Sequence, residues 1–413
     1  MKPSALIIIC FLQFACGQHK IKYNSSELVS PINLSHALSL VDSIKINNKS
    51  ITFIWIYADA PSYTPIPASG EGITCVDDVG RFMEVLETEI LLYNNQEMIH
   101  IARGMTEFLL YMSRDDGLWH NFMKEDGSIN SSHQNSVADF GWWAVRGLRG
   151  LAAAYNIFSQ DQKNDELLSE IKDRIETADA HIQTAIQRYP ERQLTSLGMR
   201  PLWLIKNAPD MSSELLMVLT KLHNSGDFNY YDSIEKLSKG LIEYQIQNEN
   251  DTLNGMYFCW GNTWHNWGNN QANGLIEAYE VTADSSILSS VQLWANSFVP
   301  FVIENNFPWE ISVSSTNHYE MVSVPQIAYG LGSIYKGLKS LSVVNENDSY
   351  KQLSEDVFKW FKGNNIAQMV MYDNETGRCF DGIDGPSKIN RNSGAESTIE
   401  CLLAIQSRKG WNN

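Results

Sequence analysis

A chain of 413 residues, 43% of them hydrophobic and only 19% charged, has ample apolar material for a large buried core and a composition outside the disordered range. Its formal net charge of -17 excludes the basic field that a phosphate backbone demands, and no Lys/Arg stripe with interleaved aromatics occurs, so no nucleic-acid partner is expected.

The first segment, "MKPSALIIICFLQFAC" (residues 1–16), has one basic residue, a short apolar stretch and a small residue before a cysteine. This is the grammar of an export signal, and it is too short to span a membrane. Its "FACG" end resembles the lipobox of bacterial lipoproteins, which implies acylation of Cys16 and a lipid anchor on a bacterial membrane, periplasmic or surface-facing. Ala15 fits that motif; Gln13 and Phe14 depart from its commonest form, so secretion after nearby cleavage is the alternative. Residues 17–32 read as a linker and 33–413 as a single domain. The four remaining cysteines (Cys75, Cys259, Cys379 and Cys401) are widely spaced, contain no C-x-x-C and read as buried thiols.

A short helix is expected near 33–46. Past residue 70, apolar positions recur at three and four residues, predicting helices near 74–92, 95–113, 136–157, 162–190, 200–222, 228–247, 265–281, 284–303, 322–341, 347–363 and 394–407. Strand-like pieces are short: "ITFIWIYA", "GLWHNFM", "GMYFCWG" and "QMVMYD". The connections alternate in length. Those leaving the helices at 74, 136, 200, 265 and 322 are short, whereas those entering the same helices are long and rich in Gly, Trp, Asn and His. The helices entered by long loops are also the more uniformly apolar, as in "ADFGWWAVRGLRGLAAAY" against "SQDQKNDELLSEIKDRIE". All-round apolar helices are buried and amphipathic ones peripheral. The expected fold is therefore all-α: an (α/α)6 barrel, a six-hairpin toroid with short β-hairpins in the long loops at one face. The rival is an open solenoid, but no fixed-period repeat is found.

Parallel inner helices would gather their N-termini at one mouth. Four of them open with S/T-x-x-[DEQ]: Thr74 to Asp77, Ser136 to Asp139, Ser323 to Gln326 and Ser393 to Glu396. A capping box explains each start. It does not explain Asp78 beside Asp77, Trp142 after Asp139, Asp381 and Asp384 before Glu396, or the packed segment Trp260, Trp264, His265, Trp267, Asn269 and Asn270. Aromatic faces suit sugar rings, amides suit hydroxyls, and paired carboxylates supply acid and base. Glycoside hydrolysis needs that set. The expected catalytic residues are Asp139 as general acid and Glu396 as base or nucleophile, with Asp77 or Asp78 orienting the sugar or exchanging roles. The expected substrate contacts are Trp119, His133, Trp142, Trp264, His265, Trp267, Asn270, His318 and Asp381. Asp77 also precedes Arg81 by four residues, the spacing of a helix-face ion pair. No metal or cofactor is expected, since the histidines are scattered and no H-E-x-x-H or EF-hand loop occurs; nor does a G-x-S-x-G elbow.

The segments "GITCVDDVGRFMEV", "SVADFGWWAVRGLRGL" and "NSGAESTIECLLAI" resemble, in the same order, parts of the six-hairpin glycosidase-like superfamily. The resemblance spans roughly residues 57–407, and G-A-E-S-T is its most specific piece. It implies the barrel and carbohydrate work on an oligo- or polysaccharide, with Asp77, Asp78, Asp139 and Glu396 as site residues. That superfamily holds hydrolases, polysaccharide lyases and sugar epimerases, so fold alone leaves the reaction open. A lyase or epimerase would use His133, His265, His318 or Tyr319 as base and Arg378 or Arg391 for a sugar carboxylate. A non-catalytic, lipid-anchored glycan-binding protein would use the same aromatics, its acids merely capping helices.

Overall fold

The computed structural model describes residues 28–409; the expected signal at 1–16, Cys16 and most of the 17–32 linker lie outside the described residues. The helices are α1 (Ser35–Ser39), α2 (Val76–Leu91), α3 (Ile99–Met112), α4 (Trp142–Phe158), α5 (Asp165–Ile186), α6 (Pro209–Asn224), α7 (Tyr231–Glu243), α8 (Gln271–Thr282), α9 (Ser285–Leu293), α10 (Val299–Glu304), α11 (Ala328–Val344), α12 (Asp348–Phe358) and α13 (Ala395–Lys409). A π-helical turn at Trp294–Phe298 joins α9 to α10. Helices α2, α4, α6, α8, α11 and α13 each pack on the next, and α13 closes on α2. The fold is the (α/α)6 barrel.

Burial separates the rings as the sequence demands. In α4, 14 of 17 residues are buried; in α5 the count is six of 22, at the spacing of a single apolar stripe. Outer helices α3, α5, α7, α9 with α10, and α12 return between the inner ones. Among the described residues the sixth outer position holds only α1, a single turn against α13. Close approach within the inner ring depends on glycine at one joint. A Cβ on Gly80 of α2 would lie 2.1 Å from the Arg146 carbonyl oxygen of α4, so only hydrogen fits there.

Four inner helices begin later than their apolar spacing predicts, at Trp142, Pro209, Gln271 and Ala328. The residues before them pair across the mouth instead. Asp139 bridges Trp119, Gln326 bridges Ile383, and Thr263–His265 joins the hairpin Glu310–Ser315/His318–Val322 as a third strand. The capping boxes do not form: the Ser136 hydroxyl accepts from the backbone N–H groups of Asn121 and Phe122, and Gln326 bonds Asn306 and Trp360. The helix expected over 33–46 stops at Ser39. Val41–Ile46 and Lys49–Ile54 form an antiparallel hairpin, because Asn47 and Asn48 both take positive φ, at 48° and 65°, as a two-residue turn requires.

Candidate active site

At the N-terminal ends of α2, α11 and α13 the mouth opens into a cleft of about 380 Å³. Arg81, on the first turns of α2, is its centre. Only 2% exposed, Arg81 donates through Nη2 to Asp78 Oδ1 at 2.7 Å and to Glu396 Oε2 at 3.2 Å, and through Nη1 to Glu400 Oε1 at 3.3 Å. Its Nε donates to the Asp77 backbone carbonyl, so the ion pair expected with the Asp77 side chain is replaced by one with Asp78. The Asp77 carboxylate accepts from Asn121 Nδ2 at 3.3 Å. The α13 start is capped from elsewhere: Asp381 Oδ1 accepts from the Gly394 N–H at 2.9 Å and the Ser397 hydroxyl at 2.5 Å. That leaves Glu396 free of the capping duty its spacing suggests. Its side chain is 49% exposed and faces the cleft.

Burial sets the acidities apart. It raises the Asp78 carboxyl from 3.8 to about 6, against the pull of Arg81 and with help from nearby Glu396. Asp381 is raised for the same first reason, opposed by its bonds to Ser397 and Gly394. Glu400 goes the other way: Lys336 and Arg81 outweigh burial and hold it below the usual glutamate value. Glu400 starts a ladder of buried ion pairs down the barrel axis, in which Glu214 binds Arg146 at 3.1 Å and Arg149 at 2.5 Å, and Glu84 binds Arg149 and Lys221. Buried charges are tolerable only when paired, so this ladder fixes Arg81 in position.

The Tyr329 ring lies between Arg81 and Arg146, whose guanidinium carbons stand 5.0 and 5.2 Å from its centre. Beyond Arg146 comes an aromatic group. Trp267 stacks on His265 at 3.7 Å, Trp260 stands 5.3 Å from Trp267, and Trp142 6.1 Å from it. Trp142 and Trp267 are partly exposed, and Trp260 is 39% exposed. Beneath them His265 Nε2 meets Asp210 Oδ2 at 3.0 Å. Burial opposes protonation of this ring, but the Cys259 sulfur and Asp210 carry its pKa up to about 10. Asp210, Cys259 and His265 could offer three metal-ligand atoms within 4.8 Å of one another.

The cleft thus gathers Asp77, Asp78, Asp381 and Glu396. Asp139 lies outside it, its carboxylate paired with Lys206. His133 stands at the cleft edge, 3.8 Å from Glu71. Three expected contacts have no free face: Trp119 is 1% exposed against Gly147, Trp264 is 2% exposed against Phe298, and Asn270 is buried on Glu214. His265 is buried under the tryptophans. His318 sits exposed on its hairpin, bonded to the Thr316 carbonyl. Arg378 lies over Tyr63 and Arg391 over Phe380. All four described cysteines are buried and free. The sequence reading missed Tyr57 and Glu71 as lining residues and Arg81 as the hub; its R at the fifth position of D-D-x-x-R was the available signal.

No family model matches the chain, and no curated protein sequence matches it. Solved structures do. A cellobiose 2-epimerase from Bacillus thermoamylovorans B4167 superposes with a TM-score of 0.64 at 11% identity, over 91% of this chain and 96% of the other. A family 76 glycoside hydrolase from a bovine Bacteroides thetaiotaomicron strain gives 0.54 at 13%, over 91% and 76%. A polysaccharide lyase gives 0.53 at 13%, over 81% and 90%. These likenesses show the (α/α)6 barrel fold. Three different reactions on one scaffold leave the chemistry to the residues in the cleft.

Proposed function

We propose that this protein is a carbohydrate-processing enzyme, a glycoside hydrolase acting on an oligo- or polysaccharide in the Arg81 cleft. The observation that carries the reading is the meeting of Asp78 and Glu396 on one guanidinium nitrogen. Sharing Nη2 at 2.7 and 3.2 Å, their bonded oxygens lie no more than about 6 Å apart, nearer the roughly 5–5.5 Å of a retaining pair than the roughly 6.5–9.5 Å that admits a water. Asp78, raised to about 6, holds a proton under mildly acidic conditions and donates it to the leaving glycosidic oxygen. Glu396, the more exposed, attacks the anomeric carbon, and water then hydrolyses the glycosyl-enzyme with Asp78 returning as base. Asp77 is placed to bind a hydroxyl beside them. Asp139, expected as the acid, has no part in this scheme.

The test is a glycan panel followed for new reducing ends, for absorbance of unsaturated uronates and for solvent deuterium entering a sugar carbon. Reducing ends alone, abolished by Glu396→Gln, support hydrolysis; the chromophore would replace it with elimination, and deuterium with epimerisation. Binding without turnover, unaffected by Glu396→Gln, would make this a glycan-binding protein. The second reading, proton transfer at a sugar carbon, is favoured by one observation: His133 stands beside Glu71 on the cleft rim, where a base could reach a ring hydrogen. We further propose export with acylation at Cys16, testable by incorporation of labelled palmitate that Cys16→Ser abolishes.

A further inference from the structure

On the flank of the barrel, where among the described residues the outer ring holds only α1, a second cavity of about 710 Å³ lies between α11, α12 and α13. Its charge is opposite to that of the whole chain. Lys339, Lys351, Lys362 and Arg408 line it, with Glu355 the only acid in the lining. Both Glu355 oxygens are taken by Arg408, at 2.6 and 3.3 Å. Lys339 is the unusual member. It is 4% exposed, and among the described residues its ammonium has no hydrogen bond or ion pair to a carboxylate, nor have those of Lys351 and Lys362. Burial first and Lys351 second push the Lys339 pKa below the ordinary lysine value, against the pull of Glu355. Lys339 buries its stem and offers the cavity a cation with no carboxylate of its own, which an arriving anion pairs. The apolar part of the wall comes from Phe358, Tyr372 and Ile405, with Pro31 from the segment before α1.

We propose that this cavity binds a phosphate group attached to an apolar moiety. Three ammonium groups without carboxylate partners match a phosphomonoester, which carries about −1.5 to −2 charge and three strong acceptor oxygens at neutral pH. The aromatic and aliphatic wall accounts for the apolar attachment. Such a ligand comes from two sources, a soluble phosphorylated metabolite or the phosphomonoester headgroup of phosphatidic acid, and the chemistry recognised is the same.

The experiment titrates the full chain with phenyl phosphate by calorimetry, and separately sediments it with vesicles of phosphatidic acid in phosphatidylcholine. Lys339→Met keeps the buried stem of the side chain and removes the ammonium; Lys351→Gln changes an exposed lysine and leaves the core untouched. Saturable binding of phenyl phosphate, weakened about tenfold or more by Lys339→Met and several-fold by Lys351→Gln, supports the site. Co-sedimentation with phosphatidic acid vesicles alone, lost in the same variants and absent with pure phosphatidylcholine, supports it and assigns the phosphate to lipid. No binding to either probe, or equal binding by wild type and both folded variants, overturns it. Glu396→Gln, in the other cleft, leaves phenyl phosphate binding unchanged, so failure of this site and failure of the proposed hydrolase remain separate results.

Discussion

Two carboxylates that the sequence presents as equals, each opening an inner helix next to a second functional residue, end in opposite situations. Asp78 is buried on Arg81, a cation shared by three carboxylates and 2% exposed. Asp139 meets Lys206 at the surface, with side chains 33% and 48% exposed. Both are ion pairs, yet they differ in what removing a partner does. In the first, each group is desolvated and depends on the others for its charge state; in the second, water replaces any partner lost. The difference teaches where a perturbed acidity can arise, and Asp78 carries one.

The sharpest way to break this contrast is Arg81→Met, which strands Asp78 without a counter-ion and leaves Glu400 only Lys336. It is expected to cost about 3–5 kcal/mol of stability, read as a lowered urea midpoint. Glu396→Gln leaves a half-exposed amide in place of a half-exposed acid. Its expected effect is a loss of about a thousandfold in turnover with an unchanged midpoint, separating chemistry from scaffold. Asp78 sets a pH limb: turnover should fall as pH rises through about 6, and Asp78→Asn should abolish that limb along with most activity. Stability carries the matching sign. The folded carboxyl holds its proton up to about 6 and the unfolded one only to 3.8, so the wild type loses stability relative to Asp78→Asn as pH climbs between those values. The smallest effect belongs to Asp139→Asn, at most about 1 kcal/mol and no more than a few-fold in turnover. A collapse of activity in that variant, with the fold intact, would restore Asp139 as a reacting group.

Much of the fold was legible in the sequence because it is written in local terms. Loop lengths alternate, and α4 is apolar all round where α5 is striped, so inner and outer helices could be told apart. The helix starts were less legible. Segments such as residues 136–141 and 322–327 continue a helix-like spacing, but their backbone groups find partners across the mouth, a choice that depends on residues far along the chain. The hairpin after α1 was written locally, in Asn47-Asn48 between alternating apolar residues, and was read past. The site was legible as composition and not as arrangement. S-x-x-E at Ser393 is a true capping-box pattern, and what defeats it is the Ala58 carbonyl, which takes the Ser393 N–H that Glu396 would reach back to. Trp119 reads as a platform until Gly147 is seen to leave room for its ring inside.

The closure of α13 on α2 bears on how the protein is made. Arg81 and Glu396 are separated by 315 positions. At a synthesis rate of roughly 5–20 residues per second, the ribosome releases α2 about a quarter of a minute to a minute before the helix that neutralises it. During that interval the guanidinium can keep company only with Asp78, and the cleft does not exist. Five hairpins can assemble as they emerge, but the mouth is completed last, when the final helix drops into the gap between α11 and α2. A nascent chain stalled short of residue 396 would therefore hold nearly all of its core and none of its proposed chemistry.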